Sequence, residues 1–239
     1  MKIKLNGFSQ SLIALWLKPI ISEVINPTLK HLVKLIDYQI KFMSDNKNNL
    51  FPIFLKLEDL RLLIVGAGEI GYEKLNTVLA NSPNTRIKIV ANFFKPEIEE
   101  LSFQYHNIQL IYADYTSSFL DQCDLVIAAV NDIELAEQIS NDAKQKGKLI
   151  NAADKPSLCD FYLGSIITKG DIKIAISTNG KSPTLARRLK EFFNEVLPDE
   201  IETALSNLHS IRNNIKTGFK ERVKKLNEIT ASLVEDSAR

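Results

Sequence analysis

From residue 62 onward the apolar positions fall into two alternating rhythms. Short, nearly unbroken apolar runs occur at 62–65, 86–91, 109–112, 124–129 and 148–151. Runs of this length without polar alternation predict strands buried on both faces, as in a parallel sheet. Between them, residues 69–79, 96–103 and 133–146 read as helices. Strand–helix alternation of this period predicts an α/β fold, a Rossmann-like parallel sheet with helices on both faces. Ligands bind such sheets at the C-terminal strand ends. That rule makes residues 66–71, 91–94, 130–132 and 152–154 one wall of a site. After Asp154 the rhythm changes. Residues 162–168 and 171–177 are β-rich and joined by Lys169-Gly170, which predicts a small antiparallel β-hairpin in a second module. Ser182-Pro183 then opens a helix reaching about Val196 and stopped by Pro198, because Ser caps and Pro suits the first helical position. From Ile201, Leu205, Leu208, Ile211, Ile215, Phe219, Val223 and Leu226 recur at intervals of three and four, an amphipathic helix or helix pair. The expected organisation is an extension at 1–47, a Rossmann domain at 48–155, a hairpin module at 156–185 and a C-terminal helical region at 186–239.

The first strand runs into Gly66, Gly68 and Gly71, spaced G-x-G-x-x-G, with Glu69 and Ile70 opening the next helix. The first glycine permits a tight turn, the second lets backbone approach a pyrophosphate, and the third lets helix and strand pack closely. Free N–H groups at the helix N-terminus then receive the phosphates. Strand before and helix after point to a nicotinamide or flavin dinucleotide rather than an idle glycine turn. A ribose-binding carboxylate is expected about 20 residues past such a turn. None stands at the end of the second strand, and Lys95 leaves room for a 2′-phosphate, so these residues alone leave NAD and NADP both open. Asp154 follows a strand end at the crevice, where a carboxylate can accept a proton or hold a cation; a helix cap or surface turn is the plainer alternative. Residues 177–183, with Thr178, Asn179, Gly180, Lys181 and Ser182, form a hydroxyl-rich loop feeding a helix N-terminus, and Arg187 and Arg188 follow. Such a loop holds anionic groups through N–H and O–H donors, or is simply a capped helix start with solvated arginines.

Composition narrows the classes. The 239 residues are 45% hydrophobic and 25% charged with a formal net charge of +1, so the basic footprint of a nucleic-acid binder is missing. No stretch approaches the roughly 18 apolar residues of a membrane span. Cys123 and Cys159 form no C-x-x-C pair, and His31, His106 and His209 are scattered, so no resident metal site is expected and a reducing cytoplasm fits. Residues 1–42 carry six lysines against Glu23 and Asp37. A targeting segment would also want arginine and a cleavage site; a natural start at Met43 is the plainer expectation.

Six stretches occur in one order: residues 50–55, the 66–71 turn with Lys74, 128–132, 151–154, 158–161 and 174–183. Together they resemble the sirohaem-synthase N-terminal family, over about residues 50–195, in its stand-alone form. The resemblance implies NAD bound through Glu69-Ile70 and Asn92-Phe93, with Val130, Asn131 and Asp132 beside the nicotinamide. It implies precorrin-2 dehydrogenase activity giving sirohydrochlorin, a tetrapyrrole cleft, a homodimer formed through the hairpin module, and in some members ferrochelatase activity on ferrous iron. Asp154 matches the catalytic aspartate and Thr178 the hydroxyl of the serine-rich loop. A macrocycle bearing many carboxylates gives Lys181, Arg187 and Arg188 a purpose. The family's hydroxyl before Asp132 is Asn131 here. A chelatase without dehydrogenation, or a nucleotide sensor without catalysis, are the competing expectations.

Overall fold

The computed structural model describes residues 48–216 and 218–231. The extension at 1–47, with its targeting and start-site readings, lies outside them. Five parallel strands, β1 (Arg61–Val65), β2 (Arg86–Ala91), β3 (Ile108–Tyr112), β4 (Leu125–Ala128) and β5 (Leu149–Ala152), form one sheet in the order β3-β2-β1-β4-β5. Helix α1 (Glu69–Asn81) connects β1 to β2, α2 (Pro96–Gln104) connects β2 to β3, and α3 (Ile133–Gln145) connects β4 to β5. A 3-10 turn, Ser117–Gln122, replaces a helix between β3 and β4. The strand order reverses between β1 and β4, which is where such sheets open a crevice for ligands.

The uninterrupted apolar runs follow from burial on both faces. Leu62, Ile64, Ile87, Ile89, Leu125 and Ile127 meet Leu75, Val78 and Leu79 of α1 and Ile98 of α2. Their alternates Leu63, Val65, Val90, Val126, Ala128 and Ile150 meet Leu120 and, from α3, Ile139 and Ala143. Leu63 and Ile64, neighbours in sequence, are both 0% exposed on opposite faces.

At the opposite end of the sheet from the glycine turn, Arg61 and Asp124 pin the starts of β1 and β4. The Arg61 Nη2 and Nε donate to the two Asp124 oxygens at 2.9 and 3.0 Å, and the Arg61 N–H donates to Oδ2 at 2.9 Å. These bonds hold the Asp124 carboxyl down to about 2, from 3.8. A depressed folded-state pKa contributes stability that is full above the unfolded value and lost as pH falls through the folded one. Asp124→Asn therefore costs stability at neutral pH, and that cost fades as pH falls below about 4 and on through about 2. Urea midpoints of both proteins, converging as pH falls from about 4 through about 2, check it.

Strands β6 (Ser165–Lys169) and β7 (Ile172–Ile176) form the hairpin, with Gly170 at φ 56° in its tip. Its first strand begins three residues later than the apolar pattern implies. Phe161 and Leu163 pack against the α1 face of the core instead of pairing. At Gly164 a Cβ would meet the Ile176 carbonyl oxygen at 2.5 Å, so only glycine fits where the two chains converge. Helix α4 (Pro183–Val196) follows, its Ser182 cap accepting from the Leu185 N–H at 3.2 Å. The C-terminal stripe is a pair, α5 (Ile201–Asn214) and α6 (Phe219–Thr230). The described chain divides into two compact units. Residues 50–168 with 172–197 form one, and the hairpin tip at 169–171 with the residues from Pro198 onward belongs to the other. Among the described residues no helix is long and apolar enough to cross a membrane.

Candidate active site

The three glycines of the β1–α1 turn meet different neighbours. Gly66 has φ 100°, and a Cβ there would lie 2.3 Å from the Ala129 carbonyl oxygen. Gly71 is buried against the turn, where a Cβ would lie 2.3 Å from the Gly66 carbonyl oxygen. Gly68 is the reverse: a Cβ would meet nothing within 4 Å. Two glycines are thus needed for folding and the middle one faces open space. Gly66→Ala combines a left-handed backbone with a backbone clash and is expected to cost about 2–4 kcal/mol, read from the chemical-denaturation midpoint. No side chain caps α1, whereas α3 is capped by Asp132, accepting from the Glu134 and Leu135 N–H groups, and α4 by Ser182. The first-turn N–H groups of α1 are left to an anion, beside the open position at Gly68.

The neighbouring strand ends complete one edge. Asn92 and Phe93 follow β2 and are exposed, Phe93 by 70%. The Asn92 Nδ2 donates to the Asp114 carboxylate beyond β3. Lys95 binds the loop back onto the glycine turn: its N–H donates to the Ala67 carbonyl at 2.9 Å and its Nζ sits 4.7 Å from the Tyr72 ring centroid. That Nζ is also paired with Glu69 at 2.8 Å and Glu97 at 3.2 Å, so its charge is already met. Ile70 packs on the core, and Val130 is half-buried beside Gly66.

Past β5 the Ala153 N–H donates to the Ala128 carbonyl at 3.0 Å, and the chain then turns at Asp154 with φ 57°. Asp and Asn tolerate this left-handed region better than other side-chain-bearing residues, at some cost in strain. Asp154 caps nothing: the 3-10 turn after it, Pro156–Leu158, has no side-chain cap. Its exposed side chain lines an open cleft of about 360 Å³ with Asn131, Ile133, Glu137, Lys155, Ser157 and Leu158. Lys155 reaches across to donate to the Val130 carbonyl at 3.0 Å, tying the Asp154 turn to the β4 end. Behind it the Asn151 Nδ2 donates to the Phe161 carbonyl at 2.8 Å, and the Ala152 N–H donates to the Cys159 Sγ at 3.2 Å. Burial pushes the Cys159 thiol up, which keeps it protonated and structural.

The edge thus gathers Gly66, Gly68, Glu69, Ile70 and Gly71, then Asn92, Phe93, Val130, Asn131, Asp132 and Asp154. The loop at 177–183 does not line the cleft. At Gly180 a Cβ would stand 3.8 Å from Pro156, two residues beyond Asp154. Within the loop the Thr178 Oγ1 accepts from the Ser182 N–H at 3.2 Å, and Asn179 and Gly180 both have positive φ. Arg187 and Arg188 share Glu191 at 3.3 and 2.7 Å on an exposed face, pairs weak enough to exchange for another carboxylate. Sequence reasoning missed Glu137, which lies one helical turn from Ile133; that i, i+4 spacing from the strand-end loop was the available signal. Among the described residues no group of three or more His, Cys, Asp or Glu could hold a metal.

Comparison with known proteins bears on this geometry. Residues 53–165 match a family described as putative NAD(P)-binding, and residues 169–194 match one described as sirohaem biosynthesis protein, central. Siroheme synthase of Psychrobacter cryohalolentis is 36% identical over 150 residues, covering 63% of this chain and 28% of that protein. Siroheme synthase of Zymomonas mobilis is 35% identical over 150 residues, covering 63% and 31%. The chain therefore spans about three-tenths of the length of these curated relatives. Among solved structures, SirC, precorrin-2 dehydrogenase, is similar with a TM-score of 0.60 at 22% identity, covering 75% of this chain and 89% of that one, which bears on the fold. Over residues 53–194 the chain thus carries a putative NAD(P)-binding match followed by a sirohaem-biosynthesis match, and over that span it is similar to siroheme synthases.

Proposed function

We propose that this protein oxidises precorrin-2 to sirohydrochlorin with NAD as the electron acceptor. The observation that carries the reading is one crevice edge holding both an open glycine cradle and a carboxylate in a left-handed turn. The residues present fit a dinucleotide: Gly68 leaves a space that a side chain would fill, and α1 begins uncapped. NAD, when bound, supplies the acceptor for a hydride. The N–H groups of α1, at Glu69 and Ile70, hold the pyrophosphate. Asn92 and Phe93 border the adenosine half, and Val130, Asn131 and Asp132 border the nicotinamide half. Asp154 receives the proton that leaves as the hydride departs, so that precorrin-2 loses two electrons and two hydrogens in all. Lys155 holds the Asp154 turn against the β4 end, which fixes the carboxylate relative to the nicotinamide side.

The macrocycle's carboxylates are held by the loop of Thr178, Asn179, Gly180, Lys181 and Ser182, with Arg187 and Arg188. That loop stands outside the cleft of a single chain, which favours a homodimer that completes the substrate site. The two free cysteines suit a cytoplasmic setting. Ferrous iron as a second substrate is favoured by one feature: Asp154 and Glu137 line the same cleft and can draw off pyrrole protons during insertion. A nucleotide sensor without catalysis would have no use for that pair.

The test is an anaerobic incubation with precorrin-2 and NAD, following NADH and sirohydrochlorin absorbance, with ferrous iron added afterwards. Parallel formation of both products is expected, and an iron-dependent conversion to sirohaem adds the chelatase. Nucleotide binding with no NADH formed would leave dehydrogenation without support.

A further inference from the structure

The end of β2 lacks the acidic residue that normally bonds the adenosine ribose, yet a carboxylate reaches the same place from the next strand. Strands β2 and β3 are parallel and paired as far as Ala91 and Tyr112. The Ala113 N–H then donates to the Ala91 carbonyl at 3.2 Å, carrying the pairing one residue past the strands. Asp114 therefore lies alongside Asn92, and its Oδ1 accepts from the Asn92 Nδ2. Both side chains are exposed. The bond occupies one Asp114 oxygen and orients the other, with the Asn92 Oδ1, as acceptors at the C-terminal end of β2. The two hydroxyls of an adenosine ribose are donors that acceptors so placed can take.

We propose that Asp114, oriented by Asn92, is the residue that selects NAD over NADP in this protein. The inference rests on the dinucleotide reading of the glycine turn. A 2′-hydroxyl donates to the carboxylate, whereas a 2′-phosphate brings two negative charges against it. Lys95, the cation that sequence reasoning left free for such a phosphate, is already shared between Glu69 and Glu97 at 2.8 and 3.2 Å. The second strand of this fold thus borrows from the third the negative charge it does not itself encode.

The experiment is calorimetric titration of the full chain with NAD and with NADP, at low and at physiological salt, for the wild type, Asp114→Asn and Asp114→Glu. Wild-type protein is expected to favour NAD by about tenfold or more at low salt. Asp114→Asn should bring the ratio to within about threefold, chiefly by tightening NADP, and should remove most of its salt dependence. Asp114→Glu should keep the preference. An Asp114→Asn ratio equal to wild type, or equal weakening of both nucleotides, would overturn the proposal while leaving the dinucleotide site intact. Failure of wild-type protein to bind either nucleotide would remove the dinucleotide reading itself, and this proposal with it.

Discussion

Asp154→Asn is expected to lower precorrin-2 turnover by about 100-fold or more while leaving the NAD dissociation constant within about twofold of wild type. The substitution is nearly isosteric, and Asn accepts φ 57° at least as well as Asp, so the turn should survive. The side chain is exposed in the cleft, so its removal exposes no core. What disappears is the ability to accept a proton at that point. Steady-state turnover beside a calorimetric NAD titration separates the two effects. A variant that turns over normally would remove Asp154 from the mechanism. One that loses NAD as well would make it a structural residue of the nucleotide site.

Gly68→Asp should weaken NAD binding by about 100-fold or more, with thermal stability changed by no more than about 1 kcal/mol. The combination is unusual for a substitution at a motif glycine, and it follows from where the three glycines sit. At Gly66 and Gly71 a Cβ would run into backbone at 2.3 Å, but at Gly68 it would meet nothing. Gly68 is also the N-cap of α1, a position that Asp favours. The new carboxylate would take the first-turn N–H groups for itself and bring negative charge to the phosphate position. Unchanged NAD affinity in a folded variant would mean that the dinucleotide does not lie on this turn.

The strands and helices of the sheet were legible because burial on two faces leaves an unbroken apolar run, and β1 is the clearest case. The hairpin was less so. Leu163 stands inside the β-rich run 162–168, yet it is a core-packing loop residue before a strand that starts at Ser165, and periodicity does not distinguish the two. Caps were legible where the chemistry is local, as at Ser182, which caps α4 through the Leu185 N–H. Asp154 was ambiguous between cap and site, because its left-handed backbone depends on the turn that Lys155 ties to Val130. Asp114 was invisible, being 22 residues from Asn92 and beside it only through the β2–β3 register. Strand-end chemistry contributed by a spatial neighbour has no sequence spacing of its own.

The central claim is that a hydride leaves the macrocycle for a nucleotide held on the glycine turn, in the crevice that contains Asp154. The most direct test follows the label. Precorrin-2 deuterated at the carbon that loses hydride is incubated anaerobically with the full chain and NAD, and the NADH formed is examined by mass spectrometry. The account predicts deuterium in the NADH, matching the sirohydrochlorin made. Sirohydrochlorin formed with all of the label in water, and unlabelled or absent NADH, would contradict it.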